Sequence, residues 1–116
     1  MSDKVIRPWG YYRVLHEVGT GVKLKELTVE PGRSLSMQKH KHRSELWFVA
    51  EGIATLHTLV NDEKKHLGDY GLYQSIDIEN EEWHQLSNIQ DFQLKIIEIQ
   101  YGDKCIEEDI VRKGEQ

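Results

Sequence analysis

The chain has 116 residues, 30% of them charged and 38% hydrophobic, with a formal net charge of −5 and a single cysteine. That length supports one hydrophobic core, and the acidic balance excludes nucleic acid as the main partner, because a polyanion needs a concentrated basic surface. Cys105 has no partner for an internal disulfide and is expected to be inert, and no apolar segment near the N-terminus has signal-peptide or membrane-spanning length, so a cytoplasmic setting without a membrane partner is expected.

Short alternating runs of β-branched and aromatic residues predict strands, in chain order, at 11–18 (YYRVLHEV), 22–30 (VKLKELTVE), 34–38 (SLSMQ), 45–50 (ELWFVA), 53–60 (IATLHTLV), 64–67 (KKHL), 72–78 (LYQSIDI), 84–88 (HQLSN) and 92–100 (FQLKIIEIQ). Gly, Pro, Asn and Asp punctuate them at GTG, PG, EG, ND, GDYG, IENEE and IQD, and the charged NDEKK reads as a solvated hairpin tip. Residues 106–113 (IEEDIVRK) are the one helical pattern, and the polar ends 1–5 and 113–116 are expected to fray. Many short antiparallel strands make an all-β sandwich or small barrel, lined inside by every second residue. One domain over 1–116 follows, with its core at about 7–112.

Chemistry concentrates in LSMQKHKHRSELW. Gln38 and His40 lie two apart and share a strand face, and Glu45 opens the next apolar run, so a hairpin returns it to the same spot. A fourth ligand comes from elsewhere. His16, His57 and His66 sit within ordinary alternating strands, whereas His84 follows the long IENEEW turn and opens a strand. Gln38, His40, Glu45 and His84 would leave a divalent metal with net positive charge, able to act as a Lewis acid.

Upstream, Lys23, Lys25, Leu27 and Val29 share one face. If the apolar pair points inward, Lys25 does too, and a buried lysine needs an anionic partner unless it snorkels at the rim. Glu98, inside the apolar run IIEIQ, needs a reason to be there: a catalytic base or a salt bridge to Lys25. Arg112 either enters the site or pairs with Glu108 or Asp109 one turn earlier. Trp9 and Trp47 are read as packing residues.

A longer pattern ties these together. Gly32, five residues, Gln38, one residue, His40, four residues, Glu45, six residues and Gly52 resembles the first cupin motif, with Gln38 where its first His usually stands. Gly71, seven residues, Glu79, Asn80, Glu81, two residues, His84, three residues and Asn88 resembles the second, with Glu79 and Glu81 replacing the usual Pro and Gly. Within the cupins, RPWGYYRVL, VKLKELTVEPG, LSMQKHKHRSELW, IIEIQYG and EEDIVR resemble the type II mannose-6-phosphate isomerase domain, found as the C-terminal part of bifunctional isomerase and guanylyltransferase proteins. The resemblance runs from Arg7 to Arg112, and Gln in place of the first His is a feature of that family. Lys41 and Leu46 depart from it, since the family usually has His at both.

The resemblance implies a single-domain cupin, a double-stranded β-helix or jelly-roll barrel. It also implies a divalent metal, zinc first, with manganese, cobalt, nickel or iron as alternatives. The expected activity is interconversion of mannose 6-phosphate and fructose 6-phosphate, with Glu98 as base, Lys25 at the developing oxyanion, and Arg7 and Arg112 on the phosphate. Nucleotide transfer is not expected of these residues, which contain no Gly-rich nucleotide loop. Two rival functions come from the same residues. One is an iron-dependent oxygenase on His40, Glu45 and His84. The other is a cupin that binds a sugar or nucleotide-sugar without chemistry, in which Glu79 and Glu81 would repel a phosphate from an isomerase pocket. A homodimer is expected from the family and from the liability of an open edge strand.

Overall fold

β-branched and aromatic residues alternating with polar ones leave little choice but strands, and a computed structural model, which describes residues 3–113, has eleven of them and no helix among the described residues. They are β1 (Val5–Arg7), β2 (Gly10–Val18), β3 (Val22–Val29), β4 (Met37–Lys39), β5 (Arg43–Glu51), β6 (Ala54–Val60), β7 (Glu63–Tyr70), β8 (Ser75–Ile78), β9 (Gln85–Ser87), β10 (Leu94–Gly102) and β11 (Val111–Lys113). All pairings are antiparallel. One sheet runs β1-β2-β3-β10-β5-β8; facing it are β7-β6-β9 and the pair β11-β4, joined by bridges between Ser34 and Ser87 and between Gln38 and His84.

Two expectations are corrected. Residues 106–113 are not helical: a turn is followed by β11, whose Val111, Arg112 and Lys113 pair with Lys39, Gln38 and Met37. Pairing with a strand edge supplies hydrogen-bond partners that a two-turn helix, marginal in water, cannot secure for itself. At the other end Val5 does not fray but opposes Tyr12 in β1–β2. Asp3 and Lys4 are exposed and precede the first strand, and the other residues expected to fray, 1–2 and 114–116, lie outside the described residues. No described helix is long and apolar enough to cross a membrane.

Three central strands give the interior its character. In β3, β5 and β10 the inward residues change from apolar to polar along the strand: Leu27 and Val29 against Lys23 and Lys25, Val49 against Arg43 and Glu45, Leu94 and Ile96 against Glu98 and Gln100. Register aligns the changes, since Ile96 faces Leu27 and Val49 while Glu98 faces Lys25 and Trp47. One half of the barrel is therefore a packed core, completed by Leu56, Ile76, Ile78 and Leu86. The other half is a buried polar chamber.

The turn from β5 to β6 holds this geometry. Gly52 has φ of +87°, and a Cβ there would lie 2.5 Å from the Gln93 carbonyl oxygen and 3.0 Å from Leu94 Cα. Gly52→Ala is expected to lower stability by about 2 kcal/mol or more in urea denaturation, from strained backbone plus the displaced β10.

Candidate functional site

β5 alternates, so Arg43, Glu45 and Trp47 all enter the polar chamber. His40 follows β4 and His84 precedes β9, and two backbone hydrogen bonds of 2.9 Å between Gln38 and His84 bring those segments together. His40, Glu45 and His84 are almost fully buried, with ligand atoms all within 4.8 Å of one another. His40 Nε2 lies 3.2 Å from Glu45 Oε2, and His84 Nε2 lies 3.8 Å from Glu45 Oε1.

Both imidazoles are oriented from behind. His40 Nδ1–H donates to the Asp109 carbonyl at 2.6 Å, and His84 Nδ1–H to the Glu82 carbonyl at 2.9 Å. Each Nε2 lone pair is thereby turned toward Glu45. Burial, with the charge of Arg43 as the next cause, lowers the His40 pKa to about 4, and burial lowers that of His84 as well, so both rings are neutral near pH 7. Two neutral imidazoles and a carboxylate fit a divalent transition metal. Gln38 lines the same cavity, its amide nitrogen donating to Ser36 Oγ at 3.1 Å and to the Ser36 carbonyl at 3.3 Å, which leaves its carbonyl oxygen as the atom available to an ion.

Deeper in the chamber, the Trp47 indole N–H is shared by Glu45 Oε1 and Glu98 Oε2, each at 3.0 Å, and Gln100 donates to Glu98 Oε1 at 2.9 Å. Burial, then the charge of Glu45, pushes the Glu98 pKa up to about 7. Lys25 stands opposite Glu98 in the β3–β10 register, but its ammonium pairs with Glu107 Oε2 at 2.7 Å, so Glu107 is its anionic partner. Lys23 reaches the same oxygen at 3.3 Å. Although burial opposes ionisation of Glu107, the two lysines hold its carboxyl below the usual range. Lys25 also lies 4.1 Å from the centre of the Tyr12 ring, a cation–π contact.

A cavity of about 560 Å³ opens on this chamber, lined by Gln38, Glu45, His84, Glu98 and Lys25 and, nearer the ends of the chain, by Arg7 and Arg112. Trp9 lines it too and packs against the core, while Trp47 combines core packing with its two hydrogen bonds. Glu79 and Glu81 are exposed and absent from the lining, so the expected repulsion of a phosphate by them does not hold. They belong to a tight turn: Glu81 has φ of +64°, its N–H donates to the His40 carbonyl at 2.6 Å, and that geometry sends the side chains outward. Asn88 has a structural task, donating to the carbonyls of Val29 and Phe92.

Sequence reasoning missed three contributors. Arg43 is held among His40, Glu45 and the Ile106 carbonyl; its signal was present, because RSELW places residues 43, 45 and 47 on one strand face. Glu107 and Asp109 were hidden by the helical reading of their segment. The Asp109 carboxylate accepts the N–H groups of Lys41 and His42 at 2.9 and 2.8 Å, fastening residues 105–113 across the chamber.

Comparison with known proteins places this geometry. The model of the family described as mannose-6-phosphate isomerase C-terminal matches residues 1–115. The chain is 38% identical over 112 residues to mannose-1-phosphate guanylyltransferase ManC of Salmonella typhimurium, covering 97% of this chain and 22% of that protein. It is 37% identical over 109 residues to the mannose-1-phosphate guanylyltransferase of Escherichia coli K12, covering 94% and 22%. With alginate biosynthesis protein AlgA of Pseudomonas aeruginosa it shares 38% over 109 residues, covering 94% and 21%. The chain thus spans about a fifth of the length of these relatives.

Two solved structures show the fold. The capsular polysaccharide assembling protein CapF of Staphylococcus aureus has a TM-score of 0.77 at 16% identity, over 94% of this chain and 31% of that one. The S161A mutant of Bacillus subtilis oxalate decarboxylase OxdC has a TM-score of 0.78 at 18% identity, over 96% and 30%. The fold is the cupin double-stranded β-helix. The relatives are enzymes and the family is isomerase-related, but the expectation of a mannose 6-phosphate isomerase acting alone is overturned. These relatives are named for guanylyl transfer and polysaccharide biosynthesis, and what the chain shares with them is a domain, not a demonstrated isomerisation.

The buried carboxyl pair has a measurable signature in chelator-treated protein. Because the folded-state pKa of Glu98 is raised from 4.5 to about 7, folding favours its protonated form, and that contribution is lost as pH rises across this interval. His40 and His84, whose pKa values are lowered by burial, contribute the opposite slope in the metal-free protein, so Glu98 is read by difference: the stability of Glu98→Gln relative to wild type is expected to rise from about pH 4.5 to about 7 and to level off above it. Urea midpoints of both proteins, measured at several pH values, check this.

Proposed function

Since the chain belongs to the mannose-6-phosphate isomerase C-terminal family, we propose that it is a sugar-binding cupin module, one that holds a phosphorylated sugar or nucleotide-sugar without transforming it. The observation that carries this reading is the sign of the charge inside the cavity. The whole chain is acidic, yet Arg7, Lys25, Arg43 and Arg112 line the cavity against Glu45, Glu98 and Glu107, and the raised pKa of Glu98 withdraws part of that negative charge. An acidic protein with a cationic recess favours a small anion over a polyanion. The cavity volume of about 560 Å³ suits a sugar phosphate or part of a nucleotide-sugar.

In this reading Arg7 and Arg112 offer forked donors to the phosphate, Lys25 adds a point charge, and Glu107 stands in for the anion when the cavity is free. A divalent metal would be held by His40, Glu45 and His84 with Gln38 beside them, where it would supply Lewis acidity toward sugar oxygens. Glu98 serves as an internal carboxyl that fixes Trp47 and, through it, Glu45.

The expected homodimer belongs to the same proposal. It is supported by the outer face of the six-stranded sheet, where Ile99 stands between Leu24 and Leu46, and Ile97 beside a 39% exposed Phe48. A light-scattering mass that stays at one chain's value at every concentration would remove it.

Calorimetric titration of the zinc-supplemented protein with mannose 1-phosphate, guanosine diphosphate mannose and unphosphorylated mannose tests the reading. The two phosphorylated ligands are expected to bind and mannose to bind far less. Arg112→Ala and Arg7→Ala are each expected to weaken binding roughly tenfold, the scale of one charge-assisted hydrogen bond. Proton NMR of mannose 1-phosphate and mannose 6-phosphate left with the protein should stay unchanged. Equal binding of mannose, insensitivity to both arginines, or a new sugar signal would each defeat the proposal.

A further inference from the structure

Arg43 stands inside the ligand cluster, not beside it. Its Nε donates to Glu45 Oε2 at 3.0 Å, one terminal nitrogen donates to the Ile106 carbonyl at 3.1 Å, and the other lies 3.3 Å from His40 Nε2. The direction of this last hydrogen bond is fixed by chemistry. A neutral imidazole carries one proton, and that proton sits on Nδ1, held by the Asp109 carbonyl at 2.6 Å. His40 Nε2 therefore has one in-plane lone pair, and Arg43 donates to it.

The same lone pair is what a metal would require. Glu45 Oε2 is the other atom that Arg43 holds, and it lies only 3.2 Å from His40 Nε2. Two N–H groups of one guanidinium thus converge on the two atoms that an ion would bridge.

We propose that Arg43 is an internal cation that fills the metal centre of the metal-free protein, and that a metal enters by displacing its guanidinium from His40 Nε2 and Glu45 Oε2. This rests on His40, Glu45 and His84 being metal ligands. The arrangement has a physical reason. Glu45 is 2% exposed, and a carboxylate that deep is strongly destabilising without a cation, so Arg43 lets the ligands keep their geometry before any ion arrives. Displacement does not require the guanidinium to leave the chamber. Its contact with the Ile106 carbonyl involves no ligand atom, and Arg43 already lines the cavity, so the freed donors face the recess that holds Arg7, Lys25 and Arg112. Ion and anion then assist each other, because the ion releases a donor and an anion gives that donor a new partner.

The test measures zinc affinity in competition with a chromophoric chelator for the wild-type chain, Arg43→Gln and Arg43→Lys. Alongside it, the Arg43 Nε–Hε signal of the ¹⁵N-labelled wild-type protein, identified by its loss in Arg43→Gln, is followed through a zinc titration. Removing the competing donors is expected to tighten zinc binding roughly tenfold or more in Arg43→Gln, the scale of one charge-assisted hydrogen bond. Arg43→Lys, which keeps the charge but loses the fork, is expected to tighten it as well. In wild type the Nε–Hε proton, protected from water exchange after chelator treatment, is expected to become fast-exchanging as zinc is added. Equal or weaker zinc affinity in Arg43→Gln overturns the proposal, as does a signal that stays protected at saturating zinc, which would mean that Arg43 supports the ligands alongside the ion. Tightening in Arg43→Gln with none in Arg43→Lys overturns it in favour of simple charge repulsion. Zinc binding by neither wild type nor variant defeats the metal reading itself, and the inference with it. Should Arg43→Gln fail to fold without metal, the exchange behaviour of the wild-type signal decides alone.

Discussion

Two carboxylates share one indole N–H in the middle of a β-sheet, and the rest of the polar chamber answers to that fact. Glu45 and Glu98 lie on neighbouring strands with Trp47 Nε1 3.0 Å from each. Buried that deeply, two negative charges cannot both stand uncompensated, so one is pushed toward its neutral form and the other is wrapped by the Arg43 guanidinium and two imidazoles. Gln100, Arg43, His40 and His84 are the groups that do this, and Arg43 and the two imidazoles are each held by a further contact of their own.

That compensation cannot be completed by the central strands alone. Register places Lys25 opposite Glu98, but its ammonium goes to Glu107, and Arg43 is steadied by the Ile106 carbonyl. The segment from Cys105 to Lys113 therefore serves as a strap. It carries the Glu107 carboxylate to two lysines, the Asp109 carbonyl to His40, and a β11 backbone to β4. A cavity with a cationic wall, and His40, Glu45, His84 and Arg43 clustered beside it, is the outcome of folding these charges inward in pairs.

Much of this was legible in the chain. The alternation in VKLKELTVE and FQLKIIEIQ predicted strands that exist, and it placed Lys25 and Glu98 on inward faces because period two leaves no other choice once Leu27 and Ile96 are buried. The spacing of Gln38, His40 and Glu45 pointed to one spot, and His84 stood out by its turn. Pairing was not legible. Glu98 invited a partner in Lys25, yet only tertiary structure decides that Lys25 is answered by Glu107, 82 positions on. The error at residues 106–113 has the same root. IEEDIVRK has helical spacing, but a short segment takes the conformation of whatever edge it docks on, and here that edge is β4. Glu79 and Glu81 misled because their direction depends on a positive φ that the residue letters do not advertise.

The strap has a kinetic consequence. β11 pairs with β4 through three residues, all of them exposed, so it belongs to the part of the molecule that opens locally at small cost while the apolar half stays closed. An opening that spreads from β11 into the turn before it takes the Asp109 carbonyl away from His40 and the Glu107 carboxylate away from its lysines. Whatever occupies the chamber then has a dwell time set by the breathing of this strap. Two variants of equal global stability can therefore differ widely in how long they retain an occupant.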